Sequence, residues 1–183
     1  TMQIYDTLYK RSVEGTSYTP YLAADMPVFS EDGLTATIKL KEGITFSDGS
    51  PFNAESVKYT LGLIMDESYG AARPSIAGSI DSIETPDDYT VVLKLKYPDG
   101  VLIAKLAHMN SAMLSPTTKD IDLMTNPIGT GAYVMDEQVP GSEYTLVYRG
   151  DDYWGEEPDI KKIKFSVVQE LSTAITPLQE QFA

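Results

Sequence analysis

Apolar and polar residues alternate along several stretches of this chain. Leu34, Ala36, Ile38 and Leu40 fall on one side of such a run, which predicts a strand over Leu34 to Leu40 with one buried face. Ser30-Glu31-Asp32-Gly33 ahead of it supplies turn chemistry, with Gly33 free to take a positive φ. A second alternating run, Tyr89, Val91, Leu93, Leu95 and Tyr97, follows Ile80, Ile83 and the turn residues Thr85-Pro86-Asp87-Asp88. This predicts a hairpin with a loop longer than the minimal two residues. A further hairpin is predicted from Gly131–Gln138, a turn at Pro140-Gly141, and Tyr144–Tyr148. After a loop over 151–158, Ile160, Ile163, Phe165 and Val167 define another strand.

Helical spacing appears between these runs. Val57, Leu61, Ile64 and Met65 share a face behind Asn53, a suitable N-cap, and Glu55 sits at the positive end of the helix dipole. The helix is expected to fade between Asp66 and Gly70. A short helix is expected over Val101–Met109, with Leu102, Leu106 and Met109 facing inward. Leu114 to Pro127 reads as irregular. Ser172 opens a last helical pattern, interrupted by Pro177. The abrupt opening at Thr1 and the finish at Phe182-Ala183, without a C-cap glycine, lead to the expectation of a fragment.

With 183 residues the chain suits one large domain or two small ones. A net charge of −13, from 27 acidic and 14 basic residues, argues against a nucleic-acid partner, whose phosphates need clustered Lys and Arg. There is no cysteine, which removes disulfides, thiol catalysis and thiolate metal sites. The single histidine, His108, reads as a surface or packing residue because zinc needs further ligands. No Gly-x-Ser-x-Gly elbow, phosphate-binding glycine loop or complete calcium loop is present. Glu156-Glu157 is flanked by Gly155 and Pro158 and reads as a loop, not as a pair of glycosidase carboxylates. The residues thus point to no catalytic or metal site, no cofactor and no enzyme activity. The 12 tyrosines suit both strand faces and a wet pocket for a polar ligand. For Tyr89, Tyr97, Tyr144 and Tyr148 the strand role is preferred.

Six segments carry a resemblance. They are Ile4-Tyr5-Asp6-Thr7-Leu8, Pro20-Tyr21-Leu22-Ala23-Ala24-Asp25, Asp32-Gly33-Leu34-Thr35 with Lys39-Leu40-Lys41-Glu42-Gly43, and Phe46-Ser47-Asp48-Gly49-Ser50-Pro51 leading into Phe52–Val57. Pro127-Ile128-Gly129-Thr130-Gly131-Ala132-Tyr133 and Asp152-Tyr153-Trp154-Gly155 complete the set. In order and spacing they resemble the family-5 bacterial extracellular solute-binding proteins, the peptide- and nickel-binding components of ABC importers. Met26 stands where the family has tryptophan, and Ala132 where it has proline. The motifs read best as fold determinants: Asp48-Gly49 as a strand-to-helix turn, Gly129-Thr130-Gly131 as a tight re-entry of the backbone, Tyr153 and Trp154 as a plug beneath the hairpin.

The resemblance implies a mixed α/β fold, part of a periplasmic-binding-protein-like lobe with an inserted α+β subdomain. Residues 1–29 and 127–183 are expected to form a discontinuous part of lobe I and residues 30–126 the inserted subdomain, with lobe II outside this chain. It implies capture of a peptide or another small solute outside the cytoplasmic membrane, in the periplasm or at the cell surface, and delivery to an ABC permease by a protein that is monomeric at full length. Tyr5, Asp6 and Thr7 are expected at the ligand because this segment lines the cleft in relatives, where an acidic side chain meets a peptide amine. Tyr69, in the Gly- and Ser-rich stretch behind the first helix, is a further candidate. A different class remains open: a β-rich module that uses the same fold for surface adhesion or sensing.

Overall fold

The computed structural model describes residues 2–66 and 74–167. The hairpin β1 (Tyr9–Arg11) and β2 (Tyr18–Pro20) comes first, then β3 (Val28–Phe29) and β4 (Thr35–Lys39). Helix α1 (Ala54–Met65) and the short α2 (Pro74–Ala77) lead to β5 (Ile80–Asp87), β6 (Thr90–Leu95) and α3 (Leu102–Leu106). The strands β7 (Tyr133–Val139), β8 (Glu143–Tyr148) and β9 (Lys162–Ser166) close the described chain, and 3-10 turns span Met109–Ser111, Pro116–Asp120 and Gly150–Asp152.

The strands build a four-stranded antiparallel sheet in the order β3-β4-β6-β5 and a three-stranded one in the order β7-β8-β9. Alternation places Ala36 and Ile38 of β4 and Val91, Leu93 and Leu95 of β6 in the core. Helix α1 lays Val57, Leu61 and Ile64 over β5 and β6. Asn53 caps it as its chemistry requires, accepting from the backbone N–H groups of Glu55 and Ser56, while Ser56 completes a capping box. The helix stops at Met65, with Asp66 already extended.

Two apolar clusters result. The larger joins the four-stranded sheet and α1 to Leu8, Tyr9, Leu22 and Ala23 of the first hairpin and to Ile128; the smaller gathers Ile4, Tyr133 and Leu146 under β7–β9. Because β3 pairs with β4, the four-stranded sheet begins at Val28, two residues ahead of the expected boundary at residue 30.

Several local expectations are corrected. The hairpin before Thr90 is tighter than its sequence suggests: β5 runs through Thr85 and Pro86 to Asp87, pairing with Thr90 after a register shift. Pro86 stands at an edge strand, where its missing N–H disturbs no ladder. Met109 is not inward-facing but 59% exposed, because α3 ends at Leu106 and a 3-10 turn capped by His108 takes over. Leu34, Ile160 and Val167 fall outside their strands and are exposed, so the alternation of those runs overstates the buried face at its ends. The helical pattern behind Ser172 lies outside the described residues.

Candidate functional site

Segments scattered through the sequence meet at one place. The backbone N–H of Gly131 donates to Ile4 O at 2.8 Å and that of Tyr133 to Gln3 O at 3.1 Å. A Cβ on Gly129 would stand 2.1 Å from Ile4 O, and one on Gly131 would stand 2.4 Å from Gln3 O, so only glycine lets the two backbones touch. Ser47 N donates to Gly129 O at 2.9 Å, and the Arg149 guanidinium donates to Thr45 O at 3.2 Å and Phe46 O at 3.0 Å. Trp154 Nε1 donates to Thr130 O at 3.0 Å, while its ring meets Tyr21 edge-on at 5.0 Å. The Tyr21 and Tyr153 hydroxyls bond at 3.0 Å. Tyr153 and Trp154 therefore fasten the first hairpin to the Gly129–Gly131 loop.

Asp6 lies at the centre of this junction and is 2% exposed. Its Oδ2 accepts from the Thr130 hydroxyl at 3.1 Å, and Lys10 Nζ stands 3.9 Å from Oδ1. Burial pushes its carboxyl pKa from 3.8 up to about 6; Lys10, Thr130 and Arg149 offset part of that rise. Burial likewise lowers the Lys10 ammonium pKa, which the Asp6 charge only partly restores. Lys10 Nζ sits 3.1 Å from the centre of the Tyr21 ring, so the cation is held by π-density as well as by charge.

Chain alternation turns Tyr5 the other way. Tyr5 and Leu123 separate two cavities. One, of about 240 Å³, is bounded further by Thr60, Met109, Asn110, Ala112 and Leu114. The other, of about 200 Å³, is bounded by Ile4, Met124, Pro127, Met135, Gln138 and Tyr144. Burial raises the Tyr5 phenol pKa, so the hydroxyl stays protonated and can donate.

Of the four residues expected at a ligand, Tyr5 is half-buried and borders both cavities. Asp6 and Thr7 are buried in the junction behind it, and Thr7 Oγ1 donates to Tyr9 O at 2.7 Å. Tyr69 lies outside the described residues. His108 is exposed and caps its own 3-10 turn through Nδ1, and Glu157 pairs with Lys161. Among the described residues, no group of three or more His, Cys, Asp or Glu is placed to hold a metal ion, and no helix is long and apolar enough to cross a membrane. The sequence reading did not single out Met109, Met124, Met135 or Thr130 as functional. Methionines spaced far apart carry no local signal until the fold gathers them.

The chain belongs to the bacterial extracellular solute-binding proteins of family 5, whose middle-region model matches residues 17–181. It is similar to Protein XP55 of Streptomyces lividans, 32% identical over 97% of this chain and 33% of the relative. Similarity to the glutathione-binding protein GsiB of Shigella flexneri is 35% over 76% of this chain and 27% of the relative. The oligopeptide-binding protein AppA of Bacillus subtilis, solved in complex with a nonapeptide, superposes with a TM-score of 0.85 at 26% identity, covering 98% of this chain and 37% of AppA. The fold is accordingly a mixed α/β part of a periplasmic-binding-protein lobe. The chain spans about a third of the length of the relatives it matches.

Proposed function

We propose that this chain is part of the substrate-binding component of an ABC importer, which captures a peptide or another small solute outside the cytoplasmic membrane and passes it to a permease. Membership of family 5 carries the reading, together with relatives that bind glutathione and a nonapeptide. On this reading residues 1–29 and 127–183 contribute to lobe I, residues 30–126 form an inserted subdomain, and lobe II belongs to the rest of the protein. Tyr5 faces the ligand. Asp6 and Thr7, buried behind it, hold the segment at its fixed height, and Tyr69 is a further candidate for contact with the solute. The protein binds without turnover: its work is done by burying solute between two walls that close on a hinge.

Titration of peptides into the full-length protein tests this. Binding is expected in the micromolar range or tighter, and Tyr5→Ala should weaken it by about tenfold or more through loss of a rigid aromatic contact. Absence of heat with every peptide, and of a co-purified solute in native mass spectrometry, would remove the proposal.

A further inference from the structure

The two cavities beside Tyr5 share a property set by their side chains. Among the described residues that line them, none is Asp, Glu, Lys, Arg or His. In a chain with 27 acidic and 14 basic residues, two adjoining cavities whose described lining carries neither sign are a chemical selection. Of the acidic residues that adjoin the lining in sequence, Asp6 is buried against Thr130 and Lys10, Asp122 accepts from Met124 N at 3.0 Å and from the Thr125 hydroxyl at 3.2 Å, Asp136 stands 3.6 Å from Lys162 Nζ, and Glu137 is exposed. Polarity on the walls is limited to neutral groups. The Asn110 and Gln138 amides are exposed, and the Thr60 hydroxyl is taken by Ser56 O at 2.8 Å and Leu114 N at 2.9 Å.

The apolar part of the lining is unusual too. Three of the chain's seven methionines, Met109, Met124 and Met135, ring Tyr5. Met124 is 82% exposed and Met109 59% exposed, a loss of burial that neither residue recovers within the described structure. Methionine is unbranched and polarizable, so a wall of it re-forms around differently shaped apolar groups. Each cavity is below the roughly 300 Å³ at which a pocket encloses a drug-sized ligand, so each matches a side chain and not a whole solute. Behind the second cavity Tyr144 stacks on Phe165 at 4.6 Å, which gives it a firm floor.

We infer that these two cavities take uncharged, apolar side chains of a bound peptide, with the wall discriminating by charge and not by shape. The inference rests on the peptide-binding reading above. A charged side chain pressed against this wall would lose water and find no counter-charge among the described lining residues, whereas leucine and phenylalanine would both be accommodated by the methionines. The Asn110 and Gln138 amides remain available to the peptide backbone between the side chains.

The test uses full-length protein and pentapeptides Ala-X-X-X-Ala, with X as Leu, Phe, Lys or Glu, titrated calorimetrically. The Leu and Phe peptides are expected to bind within about threefold of each other and at least about tenfold tighter than the Lys and Glu peptides. Met124→Glu and Met109→Glu replace exposed side chains and leave the fold intact, which circular dichroism checks. Either should raise the affinity of the Lys peptide relative to the Leu peptide by about fivefold or more. Equal binding of all four peptides would leave the peptide-binding reading standing and overturn the selectivity. A preference for Leu that neither variant alters would place its source elsewhere and also overturn the inference. If no peptide binds, the peptide-binding reading falls and this inference falls with it.

Discussion

The Thr130 hydroxyl donates a hydrogen bond to Asp6 Oδ2 across 124 residues of sequence, at 3.1 Å, with Thr130 fully buried and Asp6 2% exposed. That bond sits where the N-terminal segment crosses the Gly129–Gly131 loop, so the electrostatics of one carboxyl report on the docking of the whole segment.

Asp6 should make the fold pH-sensitive in a direction opposite to most carboxylates. Its pKa is about 6 in the folded chain against an ordinary 3.8, so between those values the folded state holds a proton that the unfolded state has released. Stability is therefore greatest, from this group, below about pH 4 and is lost as pH rises to about 6. The full difference corresponds to about 3 kcal/mol as an upper figure. Asp6→Asn keeps an acceptor for Thr130 and removes the charge. Urea unfolding at several pH values should show the variant gaining on the parent from pH 4 to pH 6, and a constant gap across that range would refute this.

Glycine substitutions should separate close approach from helix propensity. Gly131→Ala drives a Cβ into the Gln3 carbonyl at 2.4 Å and should lose about 2 kcal/mol or more, with the N-terminal segment losing amide-exchange protection. Gly62→Ala, within α1 and with nothing within 4 Å of the new Cβ, should instead gain about 0.8 kcal/mol. Denaturant midpoints decide both, and a stable Gly131→Ala would show that the two backbones can separate without loss.

The buried pair between β6 and α3 should be sensitive to removal of one partner. Asp99 Oδ2 accepts from Lys105 Nζ at 2.6 Å and from the Ser79 hydroxyl at 2.5 Å, and Oδ1 accepts from Val101 N at 3.1 Å. Burial pushes its pKa up, but these donors outweigh burial and hold the carboxyl below the usual range. Asp99→Ala strands a Lys105 ammonium that is 21% exposed and a Ser79 hydroxyl that is fully buried. The expected loss is about 2–4 kcal/mol near neutral pH. Because a depressed carboxyl stabilises only where it is ionised, the gap between parent and variant should narrow as pH falls below 4. An unchanged gap at pH 3 would assign the loss to packing alone.

Much of the fold could be read from periodicity because its signals are local. Asn53, Val57, Leu61 and Ile64 set α1 within a single turn of its observed ends, and Gly33 takes φ 69 at the β3–β4 turn where its sequence places it. Elements with no local pattern escaped: β3 is two residues long, and β1 and β2 are three residues each. Their partners, not their own alternation, make them strands. The candidate site divides the same way. The Tyr5–Thr7 segment could be found by resemblance, but that Tyr5 borders the cavities while Asp6 meets Thr130 and Lys10 depends on partners distant in sequence. Met109, Met124 and Met135 lie far apart in sequence and come together at Tyr5 only through the fold.

The bonds from Gly131 and Tyr133 back to Ile4 and Gln3 also impose an order of assembly. The carbonyls of Gln3 and Ile4 wait for partners made roughly 130 positions later. Closing so long a loop carries a large entropic cost that local contacts cannot share. The four-stranded sheet and α1, whose pairings are shorter in range, can form first and serve as the template on which Gln3 and Ile4 dock. Until Gly131 arrives the carbonyls of Gln3 and Ile4 lack these partners, a window in which a chaperone can hold the chain open.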